Sequence, residues 1–157
     1  MDYIIKINEL DLYEIGMYSN MINSVFDEFV GKDYSDEGKN TFKDFINIKN
    51  VLERLKNNSN KAFVAKYENE IIGILEIKNN EHISLFFVKK EFHKRGVGRK
   101  LFEYFLRALK QNNNDIKTIS VNSSIYAEEI YTKLGFMKIG NIQEKNGIKY
   151  IPMEYKI

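Results

Sequence analysis

Cysteine is absent from the 157 residues. That absence excludes a disulfide framework, thiolate metal sites and every route through a cysteine nucleophile. Histidine is nearly as scarce. His82 and His93 are the only two, so no metal centre is expected. No apolar run approaches the ~20 residues needed to cross a bilayer. The opening Met-Asp-Tyr-Ile-Ile-Lys also lacks the charged and apolar regions of a secretory signal. A soluble, cytoplasmic protein with no membrane partner is the expectation. A dominant charge is missing too: 24 basic against 22 acidic residues leave +2, too little to imply a nucleic-acid partner. Any electrostatic argument has to be local.

Hydrophobic residues make up 43% and charged residues 29%, enough for one domain with its own core. The sequence reads as mixed α/β, in one domain over residues 1–157. Alternation at 3–7 predicts a short strand, and helical spacing runs from Glu9 to Val30 through Leu12, Ile15, Ile22, Phe26 and Phe29. Ser35 is placed to cap a helix carrying Phe42, Phe45 and Ile46 on one face. A short helix is expected around Val51–Leu55. Strands follow at 62–67, 71–78 and 82–88, joined by the polar turns Glu68-Asn69-Glu70 and Asn79-Asn80-Glu81, which suit antiparallel neighbours. A helix over 98–109, a strand over 116–121 and a helix over 127–134 come next. The chain closes on a hairpin turning at Asn146-Gly147. Pro152, the only proline, predicts an edge or a bulge in the last strand.

The chemistry concentrates in HISLFFVKKEFHKRGVGRK, residues 82–100, which reads as strand, basic glycine-containing loop and helix start. Backbone N–H groups in such a loop, with a helix N-terminus behind them, can cradle phosphate oxygens. Gly96 and Gly98 let the main chain approach a ligand, and Lys89, Lys90, Lys94, Arg95, Arg99 and Lys100 outweigh one acid, Glu91. A dinucleotide fingerprint fails because Leu101 stands where its third glycine belongs, and the Walker pattern fails on glycine spacing. On these residues alone, a phosphate cradle and a glycine turn with a solvated basic face both remain open.

HKRGVG resembles motif A of the GNAT superfamily of acetyltransferases, Gln/Arg-x-x-Gly-x-Gly/Ala, and it lies between a strand and a helix as it does there. VNSSIYAEEIYTKLGF resembles motif B, with Ala127, Tyr131, Gly135 and Phe136 in the familiar spacing. The order of elements matches over the whole chain. The resemblance departs at His93, where glutamine or arginine is usual, and at Ser124, where asparagine is usual.

The resemblance implies a twisted, mixed, mostly antiparallel sheet of about seven strands, flanked by helices and splayed between the fourth and fifth strands. It implies acetyl-coenzyme A as co-substrate, with its pantetheine arm along Phe86, Phe87 and Val88. Its pyrophosphate would lie on the loop of His93, Lys94, Arg95, Gly96, Val97, Gly98, Arg99 and Lys100, with further contacts at Asn122, Ser124 and Tyr131. Tyr131 is the implied acid that protonates the departing sulfur, its reference pKa of ~10 keeping a proton at neutral pH. The base is left open between His82, which opens the strand where the histone-acetylating branch carries a carboxylate, Glu76 on the preceding strand, and ordered water. Glu76 reads equally as a solvated strand residue. The acidic and aromatic stretch with Glu28, Asp33 and Tyr34 is the candidate acceptor surface, for a small-molecule or peptide amine. A solvated helix end and loop is its alternative. Without cysteine an acetyl-cysteine route is excluded; direct transfer through a ternary complex is the expectation, with other covalent nucleophiles left open. Family members are often dimers, so a homodimer is among the expectations. Against this stand a non-catalytic acyl-coenzyme A sensor, an interaction domain whose glycines serve packing only, and a binder of nucleic acid.

Overall fold

The chain joins its sheet later than the alternation at 3–7 predicts. In a computed structural model, which describes residues 3–29, 34–112 and 115–157, β1 is Lys6–Glu9. It lies antiparallel against the end of β2, Lys6 facing Lys66 and Glu9 facing Phe63. Tyr3 instead packs edge-on against Tyr67, with centroids 4.8 Å apart. A 3-10 turn at Leu12–Glu14 leads into α1 (Ile15–Phe29), so the predicted helix starts only after the strand has used Glu9. The next helix is α2 (Asp36–Ile46), whose first turn is capped by Ser35 Oγ accepting from the Gly38 N–H at 3.1 Å, as the sequence predicts. Asn47 caps α3 (Ile48–Lys56) the same way, accepting from Lys49 N–H at 2.9 Å.

Three antiparallel strands follow: β2 (Asn60–Tyr67), β3 (Glu70–Lys78) and β4 (His82–Val88). Their turns place Glu68-Asn69 and Asn79-Asn80 at positive φ, which two-residue hairpins demand. Beyond a 3-10 turn at Lys90–Phe92 come α4 (Val97–Gln111), β5 (Thr118–Ser123) and α5 (Glu128–Leu134), then β6 (Met137–Lys138), β7 (Gln143–Lys145) and β8 (Ile148–Lys156). Among the described residues the sheet has eight strands, in line with the seven or so that the resemblance implies, in the order β1-β2-β3-β4-β5-β8-β6, with β7 also on β8. The additional β6 is two exposed residues long, too short to leave a period-2 signal.

Pro152 marks neither an edge nor a bulge. It faces Asn122 on β5 within the full length of β8, and its carbonyl accepts from Ile139 N–H at 3.0 Å. In a strand, N–H and C=O of one residue point the same way. The missing N–H therefore falls where β8 passes from pairing with β7, which ends at Tyr150, to pairing with β6, which begins at Met153.

Each face of the sheet carries a core. Helices α4 and α5 cover one, with Leu101, Phe105 and Phe136 among its buried residues; α1, α2 and α3 cover the other, with Tyr18, Ile22 and Val51. The strand β4 changes allegiance between them. Ile83 belongs to the α4 side and Leu85 to the α1 side, although residues two apart should share a face. The register accounts for it: Ile77 faces Ile83 and Glu76 faces Leu85, so Ser84 is an extra, bulged residue. At the same point the parallel pairing with β5 stops, after His82 with Ser120 and Ile83 with Val121. A bulge bends its strand and increases its twist. The rest of β4 therefore swings away from β5, and the two splay as the resemblance implies. Among the described residues, no helix is long and apolar enough to cross a membrane.

Candidate functional site

The loop between β4 and α4 turns on two left-handed residues, Lys94 (φ 61°) and Gly96 (φ 76°). Gly96 is the N-cap of α4, and no side chain caps the helix there. The first intrahelical bond is Lys100 N–H to Gly96 C=O at 3.0 Å. The amides of Val97, Gly98 and Arg99 precede it and have no intrahelical acceptor. They form the positive end of a 15-residue helix, the place where an anion is best held.

The loop's cations do not all point at that end. The Arg95 guanidinium lies 4.4 Å from the Tyr3 ring centroid, and its Nε donates to Glu91 C=O at 3.4 Å. Arg99 donates to Lys133 C=O at 2.9 Å, tying α4 to the end of α5. Lys94 and Lys100 are exposed and make no ion pair among the described residues. The ring of His93 contacts Val88 C=O through Nε2 at 2.7 Å, so it binds the loop to the end of β4. A carbonyl can only accept, so Nε2 carries the proton.

Motifs A and B meet beside the splay. A Cβ on Gly98 would stand 3.5 Å from Phe86 and 3.9 Å from Val88, ordinary contact distances. The protein's own packing does not demand glycine there. Phe86 in turn lies 6.0 Å from Tyr131, edge to face, and Phe136 lies 5.3 Å away on the other side. Tyr131 is buried, no hydrogen bond to its hydroxyl is found among the described residues, and burial pushes its pKa well above the usual tyrosine value. Val97 is buried beneath the loop, while Phe87 turns to the opposite core and meets Phe42. Asn122 is exposed on β5. Ser124 uses its hydroxyl on its own backbone, accepting from Ala127 N–H at 3.2 Å.

Glu76 is not a solvated strand residue. It is fully buried and both oxygens are engaged: Tyr18 donates at 2.7 Å, Arg54 at 2.5 and 3.3 Å, and Asn60 at 2.6 Å. Burial first, then the Glu76 charge, raises the Tyr18 pKa and keeps it a donor. Asn60 also donates to Ser84 Oγ at 3.3 Å, so this network backs the bulge. Four donors fill the lone pairs of one carboxylate. Tyr18, Arg54 and Asn60 come from three separate segments, and nothing in the sequence around Glu76 announces them.

His82 stands at the vertex of the splay, half-buried, with Nδ1 2.7 Å from Ser120 Oγ. Its pKa is lowered, first by burial and then by Lys78, with Glu81 opposing. Ile83, Ile119 and Val121 all face α4, so by alternation His82 and Ser120 lie on the other face of the sheet from Tyr131. The two candidates flank the splay from opposite sides.

The acceptor candidates lie elsewhere, and the structure does not bring them together. Glu28 lines a cavity of about 370 Å³ with Ser24, Glu70, Lys89 and Phe92. That cavity lies at the Val88 end of β4, about six residues or ~20 Å from His82. Tyr34 is bridged to Ile148 and packs edge-on against Phe42 at 6.0 Å. Asp33 lies outside the described residues. Next to Tyr34, Ser35 N–H donates to Gly147 C=O at 3.1 Å, fastening α2 to the β7–β8 turn. A Cβ on Gly38 would stand 2.2 Å from that carbonyl, so glycine is required at this crossing. Among the described residues no set of three metal-ligating side chains comes together.

The acetyltransferase (GNAT) domain profile matches residues 30–157. A UPF0039 protein of Schizosaccharomyces pombe is 30% identical over 84 residues, 54% of this chain and 56% of that protein, so the chain spans about half the length of this curated relative. A GCN5-related N-acetyltransferase from Rhodopseudomonas palustris superposes with a TM-score of 0.81 at 17% identity, covering 100% of this chain and 99% of that one. The PaiA N-acetyltransferase of Thermoplasma acidophilum, solved with coenzyme A, gives 0.77 at 18% identity over 98% and 99%.

Proposed function

Because the chain belongs to the GNAT acetyltransferase family, we propose that it transfers an acetyl group from acetyl-coenzyme A directly to a primary amine of a small molecule or peptide. The observation that carries this reading is the uncapped start of α4 beside the splay. Its free amides suit a pyrophosphate, Lys94 and Lys100 stand exposed beside them, and the space over Gly98 is larger than the protein's own packing requires. The β4–β5 ladder ends at Ile83, which opens a gap beside the far half of β4, around Phe86, suited to the pantetheine arm.

Bound there, the coenzyme supplies a thioester carbonyl and a sulfur that leaves with a proton. Tyr131 donates that proton from its hydroxyl, which burial keeps protonated. His82 accepts a proton from the acceptor ammonium and so frees the nitrogen lone pair. As the C–N bond forms and the C–S bond breaks, the nitrogen's second proton replaces the one Tyr131 gave, and one proton remains on His82. Glu76, its oxygens already filled, holds the bulge and does not act as the base. Glu28 supplies a carboxylate for a cationic portion of the acceptor remote from the reacting nitrogen, and Asp33 and Tyr34 extend the same segment.

Thermal unfolding with acetyl-coenzyme A tests the reading. Ligand at about 100 times its Kd adds ~2.7 kcal/mol, a clear rise in the midpoint. Release of free thiol with a panel of amines then identifies the acceptor. A midpoint unmoved at millimolar coenzyme overturns the proposal.

A further inference from the structure

We infer that Ser120 fixes the tautomer of His82, so that Nδ1 carries the proton and Nε2 presents the bare lone pair that receives the acceptor's proton. The catalytic half of this inference rests on the transferase reading above; the tautomer does not. Ser120 is a positioning residue, acting only through the ring.

The geometry comes from the one place where β4 and β5 are paired. His82 and Ser120 are direct partners in that short parallel ladder. Ser120 N–H donates to Glu81 C=O at 2.8 Å, which anchors β5 to the residue preceding His82. The Ser120 hydroxyl has two neighbours among the described residues. One is the same Glu81 carbonyl, 3.4 Å away, and the other is His82 Nδ1 at 2.7 Å. The carbonyl can only accept, so a hydroxyl proton turned toward it leaves the Oγ lone pair for Nδ1–H. Nε2 is then the only basic atom of the ring.

The charged groups around the ring belong to three other segments. Lys78 faces His82 across β3, Glu81 precedes it in the turn, and Glu154 on β8 faces Ser120 from the far side. None of them is hydrogen-bonded to the ring, whose one partner among the described residues is the serine. With burial and Lys78 disfavouring the cation, the ring is neutral at pH 7, and its tautomer becomes the property that matters.

His93 is a natural control. Its Nε2 meets Val88 C=O, so its proton must sit on Nε2. The only two histidines of the chain are thereby assigned opposite tautomers, in a protein where two ring systems are all a spectrum contains.

Long-range 15N–1H correlation of the full chain at pH 8 reads both rings without any variant. The expected result is Nδ1–H for His82 and Nε2–H for His93. Ser120→Ala should move His82 toward Nε2–H and leave His93 unchanged. In acetylation assays Ser120→Ala should lower kcat by roughly tenfold, part of the ~10²–10⁴-fold a positioned base supplies, with KM for acetyl-coenzyme A unchanged. Ser120→Thr, which keeps the hydroxyl, should restore the tautomer and the rate. Finding His82 as Nε2–H in the unmodified protein overturns the inference, because the serine is then the donor. An unchanged kcat in Ser120→Ala with an altered tautomer overturns its catalytic half. Opposite tautomers in a protein that acetylates no amine leave the tautomer assignment standing and bring down the transferase reading together with the catalytic half that rests on it.

Discussion

Burial raises the pKa of Tyr131 and lowers that of His82, so at neutral pH the tyrosine holds its proton and the histidine ring is neutral. The tyrosine keeps the proton it must give; the histidine stays empty for the proton it must take. Tyr131→Phe removes a hydroxyl that makes no hydrogen bond among the described residues. It should lower kcat by about 100-fold, leave KM for acetyl-coenzyme A within a factor of two or so, and leave the unfolding midpoint unchanged or slightly raised. An unaltered kcat removes Tyr131 from the acid role. For His82 the consequence is a pH dependence of stability. A ring whose pKa falls on folding binds fewer protons folded than unfolded, so stability rises with pH between the lowered value and ~6.5. That stability is fully present above ~6.5 and lost as pH drops through the folded value. Urea unfolding from pH 5 to 8 should show the slope, and His82→Gln should flatten it. At this scale the motif residues were legible, because Gly96, Gly98 and Tyr131 sit at fixed spacings. Glu76 was not. In Ile74-Leu75-Glu76-Ile77 it looks like the polar face of a strand, and its partners lie at 18, 54 and 60 in the chain.

Helix α4 ties the sheet to the site through its first turn. Gly98 is helical, and a methyl group there would meet only ordinary contacts. Gly98→Ala should therefore stabilise the free protein by ~0.5–1 kcal/mol through helix propensity. The same methyl group should weaken acetyl-coenzyme A binding by tenfold or more, since it fills the space over the amides. Calorimetry on the variant checks both signs at once, and unimpaired binding would show that the coenzyme does not approach this turn. Elements with local signals were read well from the sequence: the capped α2, the amphipathic α4, and the three strands joined by Asn-rich turns. Those that failed depend on a partner. The start of β1 is set by its register on β2, β6 exists only because β8 has backbone groups to spare, and Pro152 is tolerated because its neighbours change there.

On the scale of the whole molecule, the two cores divide the work. The α4 side carries Tyr131 and the glycine-containing loop before α4, the α1 side carries the Glu76 network, and His82 opens toward that second face at the vertex. The family resemblance implied the splay; its cause could not be read, because a bulge leaves no mark in composition or alternation until the neighbouring strand's register is known.

That cause has a consequence in chain length. Ser84 is one residue too many for its strand. Deleting it would leave Ile83 and Leu85 adjacent, and adjacent residues face opposite ways without help, so both cores would keep every side chain they now hold. The shortened protein should fold with nearly the same stability. Its fourth strand would then run straight, and nothing would stop the ladder with the fifth from closing past Ile83. A chain of 156 residues should thus melt cooperatively and bind no coenzyme; if it still binds, the slot owes nothing to the insertion. On this view the cleft is made by adding a residue to an intact sheet, and a single codon separates the splayed sheet from a closed one.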